Sequence, residues 1–413
     1  MFATKIQNTF KQNKFEFLLL SLFPIFLIIG NLVINLFYIT LFIISILNYK
    51  KKRFFYNHII FYLLVIFLGC LFLNLFFTIN FYNSVPRFLK FFLIFFFIIE
   101  LQRLNFENSV DLEKIFKFWI IVFLIVTIDI IFELIFGYNS LGFTSSQKGR
   151  IASFFNDELI VGSFYHFFGL IFIGFLLKKN YPNYQILVCG IFLILISFVI
   201  GERANFLRMF ISIFLILFFI IKINVFYRIL SLCILIMMFI LIINNSENLR
   251  KRYLNQLDTI YTKKGIIKYF KESQYGAHQS TAFEIYKNNK LFGVGMKNFR
   301  EESNKEIYKN IEYKWTDNRQ ATHPHQIHLE LLSETGIVGY FSFFILIITS
   351  IFFSINNYLK HKNPIQFSTI VFLCTSILPL LPSGSIFSTY YGGIFWFNYA
   401  LMLSFNLYAK SKN

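Results

Sequence analysis

Long apolar runs separated by short polar breaks fill most of this chain, and one long polar stretch interrupts them late. A membrane-crossing helix needs roughly 20 apolar residues, and about twelve runs approach that length. They are Phe15 to Ile29, Val33 to Leu47, Ile59 to Ile79, Phe88 to Ile99, Phe116 to Phe136, Leu159 to Leu177, Ile186 to Ile200, Phe206 to Ile221, Phe226 to Ile243, Ile337 to Ile355, Phe367 to Leu381 and Tyr391 to Tyr408. The pattern predicts an all-α, polytopic integral membrane protein. Residues 1–243 carry nine spans, 244–326 form one large outer loop, and 327–413 carry a boundary helix and three more spans. Within the loop, Asn248 to Tyr269 and Ser280 to Asn289 read as helices and Phe292 to Gly295 as a turn.

Composition strengthens the membrane reading: 56% of the 413 residues are hydrophobic and 21% aromatic, with mean hydropathy +0.61. The formal charge of +18 could suggest nucleic acid. The basic residues are split among short loops and the outer loop, however, which points to topology and anionic lipid rather than a nucleic-acid face. Lys5, Lys11, Lys14, Lys50 to Arg53, Arg103, Lys178, Lys179, Lys360 and Lys362 fall on alternate loops, so both termini are expected in the cytoplasm and the large loop outside. The first apolar run lacks a small-residue cleavage site and reads as a retained anchor. Cys70, Cys189, Cys233 and Cys374 all lie within apolar runs, as packing residues do.

Charge bordering an apolar span is costly and therefore informative. Gly201-Glu202-Arg203 closes the seventh run, with Arg208 deeper in the eighth; Glu202 and Arg203 either form a boundary ion pair or serve a site. Lys148 to Glu158 is a polar approach to the sixth run, containing Arg150 and either a helix cap at Asn156 or functional acids at Asp157 and Glu158. Arg87, beside Pro86, reads as an interfacial anchor.

The stretch from Thr322 to Tyr340, THPHQIHLELLSETGIVGY, is the most informative. Pro324 suits a helix's first turn, with Thr322 or His323 as cap, so His325 is expected in that first turn and the helix to run to a break at Gly336. There the positive end of the helix dipole would keep the imidazole neutral near pH 7 and able to accept a proton. His323, His325 and His328 on one proline-fixed turn do not easily converge on a metal, and no cysteine or Asp-rich loop assists.

His325-Gln326, then Gly336, then Gly339-Tyr340, flanked by HPHQ and LLSETG, resembles the signature of the bacterial O-antigen ligase and O-antigen polymerase superfamily. Gly201-Glu202-Arg203 is similar to that family's arginine at the outer end of the seventh span. Arg150 with Phe154, Asp157, Glu158 and Gly162 is similar to an R..G.F.DE...G element, and LFGVGMKNF from Leu291 to Phe299 to its loop element. Family members often carry a second arginine before that loop element; here the stretch reads QYGAHQSTAFEIYKNN, leaving His278, Lys271 or Arg300 as substitutes.

The resemblance implies a GT-C-like glycosyltransferase in the bacterial inner membrane, with a periplasmic active site and no cofactor or required metal. It would take a glycan from an undecaprenyl-diphosphate-linked donor. An O-antigen ligase places it on a hydroxyl of lipid A-core; a polymerase places it on a second lipid-linked repeat unit; a protein O-oligosaccharyltransferase and a lipid-linked glycan flippase are more distant alternatives. The implied roles are general base for His325 and diphosphate binding for Arg203, Arg150 and Arg208. Glu202, His323, Gln326, Glu330, Glu334, His278 and Arg300 are expected as support, with Glu330 and Glu334 orienting His325 or favouring the helix's N-terminal half.

Overall fold

The computed structural model describes residues 13–47, 57–155, 160–221, 224–251, 253–254, 273–309, 319–379 and 381–411. Helices occupy the predicted apolar runs: α1 Lys14–Ser21, α2 Phe23–Ile29, α3 Asn31–Leu47, α4 His58–Asn74, α5 Phe81–Phe106, α6 Leu112–Phe136, α7 Val161–Lys178, α8 Asn183–Val199, α9 Arg203–Phe219 and α10 Val225–Asn245. There follow α11 Gln274–Asn288, the single turn α12 Phe299–Glu302, α13 Ile327–His361, α14 Pro364–Ser376 and α15 Tyr390–Ser411. No strand occurs among the described residues. Five of these segments, His58–Phe77, Leu112–Phe136, Val161–Lys178, Val225–Asn245 and Ile327–His361, are long and apolar enough to cross a membrane. The chain is a helical, multi-pass membrane protein.

Local chemistry sets the helix ends. Asn57 accepts from the Ile59 and Ile60 N–H groups at the start of α4, and Asp111 accepts from Glu113 and Lys114 at the start of α6. The fifth helix begins at Phe81, seven residues before the predicted run, and keeps Pro86 inside it. The predicted loop helix at Ser280 starts earlier, at Gln274, because the Ser273 hydroxyl caps the Gly276 N–H at 3.0 Å. The predicted helix from Asn248 lies mostly outside the described residues, as do Asn156, Asp157, Glu158 and Lys271.

Two compact units emerge. One comprises Met1–Ile34, Leu104–Asp258 and Asn357–Ser376; the other comprises Asn35–Arg103, Thr259–Asn356 and Ile377–Asn413. In the first, α14 packs on α7 and α9, and α9 packs on α8. In the second, Phe67, Phe91, Phe343 and Trp396 form an aromatic core, and the buried Tyr38 hydroxyl donates to the Gly393 carbonyl at 2.9 Å. The segment 273–309 adds a small core of Ala282, Ile285, Val294, Phe299 and Tyr308.

The predicted break at Gly336 is present: φ is 66° and ψ −170° inside an otherwise helical α13. Such a break frees carbonyls on one side and N–H groups on the other, and each must find a partner. The turn at 290–295 supplies both. Val294 and Gly295 N–H groups donate to the Ser333 and Glu334 carbonyls at 3.0 and 2.9 Å, while Ile337 and Val338 donate to the Lys290 and Leu291 carbonyls at 2.8 and 3.3 Å. Asn74 ties the junction to α4, its Nδ2 donating to the Phe292 and Glu334 carbonyls at 2.5 and 3.0 Å.

A Cβ at position 336 would sit 2.3 Å from the Leu291 carbonyl oxygen, on a backbone conformation open only to glycine. Gly336→Ala is expected to cost about 1–3 kcal/mol and to detach the turn. Thermal unfolding in detergent together with limited proteolysis near residue 290 checks this: a lower midpoint with faster cleavage is expected, and a wild-type profile contradicts it.

Candidate active site

In the first unit, two of the sequence elements meet. The loop before α7 is held by two buried acids of α6: Glu133 accepts from the Ala152 and Ser153 N–H groups at 3.2 and 2.6 Å, and Asp129 accepts from the Ser140 N–H and the Ser153 hydroxyl at 2.8 and 2.6 Å. This places Arg150 beside the end of α8, where the Ile151 N–H donates to the Ile200 carbonyl at 3.1 Å. Gly201, at φ 79°, lies so close that a Cβ there would be 2.1 Å from the Gly149 carbonyl oxygen. The Arg150 and Gly201-Glu202-Arg203 elements therefore run side by side.

Glu202 faces inward. Its Oε1 accepts from the Gly162 N–H at 3.1 Å and its Oε2 from Asn205 Nδ2 at 2.6 Å, joining the starts of α7 and α9. Arg203, half-buried, is the first residue of α9. Arg208 is fully buried; its Nε donates to the Thr375 carbonyl at 3.3 Å and its Nη1 to Asn205 Oδ1 at 3.1 Å. Below it, His166 Nε2 and the Ser212 hydroxyl are 3.0 Å apart.

The second unit holds the histidines. His325 does not lie in the first turn of a helix, as expected from Pro324; it sits two residues before Ile327 with φ 55°. The cap is Gln326, whose Oε1 accepts from the Leu329 N–H at 2.7 Å, rather than Thr322 or His323. The side-chain amide of Gln326 also donates to the Pro379 carbonyl at 2.8 Å. The cap thus falls just after His325, and the bend before it turns the imidazole out of the helix. The His325 carbonyl accepts from the Ser383 N–H at 2.9 Å, fixing the bend to the loop before α15.

Three aromatic rings surround the half-buried His325 imidazole. His323 is 4.1 Å away between centroids, Tyr275 meets it edge-on at 5.3 Å, and His278 stacks at 5.4 Å with a 29° interplanar angle. Tyr275 and His278 are three residues apart on α11 and share one face. His278, a candidate substitute for the loop arginine, is thus at the site, whereas Arg300 is exposed on α12. Tyr275 carried no signal in the sequence. His328 is engaged elsewhere, with ring nitrogens 3.1 Å from the Tyr340 hydroxyl and 2.9 Å from the Ile377 carbonyl.

Glu330 and Glu334, one turn apart and fully buried, hold loops. Glu330 accepts from the Ser385 hydroxyl and, at 2.9 Å, from the Ile386 N–H. Glu334 accepts from the Lys297 and Phe299 N–H groups at 2.7 and 3.2 Å. Their service to His325 is indirect: they fix the segments that flank it.

Burial, reinforced by His325, Lys297 and His278, holds the His323 imidazole well below its ordinary pKa of about 6.5, against the opposing Ser383 carbonyl. The folded protein therefore keeps His323 neutral where the unfolded chain takes up a proton. Stability from this source is full above about pH 6.5 and falls below it, by up to about 1.4 kcal/mol per pH unit until the folded group titrates. Unfolding midpoints between pH 8 and 5 should fall more steeply for wild type than for His323→Gln; parallel curves contradict the assignment.

No curated protein sequence matches the chain. The sequence model of the O-antigen ligase family matches residues 187–344, a segment that includes Arg203, the turn at 292–295, His325 and the Gly336 break. Over these residues the match bears out the resemblance to the O-antigen ligase and O-antigen polymerase superfamily.

Proposed function

We propose that the protein is an O-antigen ligase, moving a glycan from undecaprenyl diphosphate to a hydroxyl of lipid A-core at the periplasmic face of the inner membrane. The observation that carries this reading is the His325 bend: an imidazole presented from a fixed backbone, outside its helix, among His323, Tyr275 and His278. A general base needs that kind of fixed orientation and an accessible ring nitrogen. The family match supports glycosyl transfer from a lipid-linked glycan.

In the proposed reaction a His325 ring nitrogen takes the proton of the acceptor hydroxyl while that oxygen forms its bond to the anomeric carbon. The bond from that carbon to the diphosphate oxygen breaks on the opposite face, its electron pair leaves with the diphosphate, and the configuration inverts. Arg203 and Arg150 supply charge-assisted hydrogen bonds that strengthen as negative charge gathers on the leaving group. Arg208, already engaged by Thr375 and Asn205, steadies the start of α9 beneath Arg203. With the leaving group stabilised in this way the reaction needs no metal.

Twelve membrane spans, cytoplasmic termini and an outer loop at 244–326 belong to the same reading. Reconstitution with a defined undecaprenyl-diphosphate glycan tests it. His325→Ala should lower the transfer rate on the order of 10²–10⁴-fold, and EDTA should leave the wild-type rate unchanged. Transfer to lipid A-core is expected; elongation of a second lipid-linked unit instead identifies a polymerase. Wild-type activity in His325→Ala, or loss with EDTA restored by a divalent ion, contradicts the mechanism.

A further inference from the structure

The second unit contains a set of cations that the proposed mechanism does not use. On α5, Asn83, Ser84, Arg87 and Lys90 recur at helical spacing and share one face. That face docks first on the loop after the 290–295 turn: Asn83 Nδ2 donates to Asn298 Oδ1 at 3.0 Å and the Ser84 hydroxyl to the Met296 carbonyl at 3.0 Å, on either side of Lys297. Two turns on, the buried Lys90 Nζ donates to the Ser388 carbonyl at 2.5 Å, in the loop whose Ser383 N–H holds the His325 carbonyl. Arg87 lies between these two anchor points, and its Nε is buried with no hydrogen-bond partner among the described residues.

Lys90 lies within electrostatic reach of both Arg87 and Lys297, and His323 within reach of Lys297. Glu334 lies within electrostatic reach of Arg87 and Lys297, and Glu330 within reach of Lys297, so at most two negative charges face the three cations and the face stays net positive. Both oxygens of Glu330 are taken by Ser385 and Ile386, and both of Glu334 by the backbone of Lys297 and Phe299. Like charges gathered on a partly buried helix face repel one another unless an anion joins them. A planar guanidinium fork flanked by two ammonium groups suits a tetrahedral oxyanion.

We propose that Arg87, Lys90 and Lys297 form a binding site for a phosphate-type anion beside the His323–His325 bend. The anion is either a phosphate of the lipid-linked donor or a phospholipid head group. Only the first source rests on the glycosyl-transfer reading.

Binding to the full-length protein in detergent, without acceptor, tests the site independently of transfer. Native mass spectrometry or tryptophan-fluorescence titration would compare undecaprenyl diphosphate, undecaprenol and phosphatidylglycerol. Wild type should bind at least one phosphate-bearing lipid more tightly than undecaprenol. Arg87→Gln and Lys297→Gln should each weaken that binding roughly ten-fold or more, and Arg87→Lys should recover part of it. Weakening confined to undecaprenyl diphosphate assigns the anion to the donor; equal weakening for phosphatidylglycerol assigns it to a head group. Should Arg87→Gln fail to fold, Lys297→Gln on the loop carries the comparison. Wild-type affinity in folded Lys297→Gln and Arg87→Gln, or no preference for phosphate over undecaprenol, overturns the site.

Discussion

A helix interrupted inside packed protein has unsatisfied backbone groups on both sides of the break, and it persists only where protein replaces the missing partners. At Gly336 one short turn does this for both sides, accepting from Ile337 and Val338 while donating to Ser333 and Glu334. The arrangement locks the segment 290–295 to α13 by main-chain hydrogen bonds, so it depends on the glycine and on the turn's approach more than on side-chain identity. Everything around His325 in the second unit follows from that lock. Lys297 and Phe299 come to Glu334, α11 packs through Ile285 on the same small core as Val294, and its first turns carry Tyr275 and His278 to the His325 ring.

Much of this was legible in the sequence because burial in a membrane leaves simple marks. The apolar runs marked the helices, and the Gly336 break and the 292–295 turn were each readable from glycine and flanking polarity. That the turn caps the break was not, since pairing between segments forty residues apart leaves no local trace. The helix start was misjudged for a physical reason: Pro324 suits a first turn, but the Gln326 side chain can reach the Leu329 N–H, and that cap moved the start past His325. The left-handed backbone at His325 was not legible, because histidine tolerates that region better than most side chains yet adopts it in few positions. Lys90 did leave a mark, a lysine within the apolar run from Phe88 to Ile99, and its meaning becomes clear only beside Arg87 and Lys297.

Candidate residues fall in both units. The first carries Arg150 and Arg203 on adjoining backbone segments, braced by Glu202 and Arg208. The second carries the histidines and its own positive charge. Buried carboxylates at Asp129, Glu133, Glu330 and Glu334 serve in both units as loop anchors, accepting backbone or hydroxyl donors. Each of the four takes two donors, which suits the task of fixing irregular backbone where regular hydrogen bonding has stopped.

The central claim is that the His325 imidazole itself accepts the acceptor's proton. Its backbone already occupies a conformation that glycine adopts freely, so His325→Gly removes the ring with little strain. Chemical rescue of that variant by added imidazoles of graded basicity measures the claim most directly. The account predicts that transfer returns and that the rescued rate rises with the basicity of the added imidazole. Absence of rescue in a folded, donor-binding variant, or rescue independent of basicity, would contradict it.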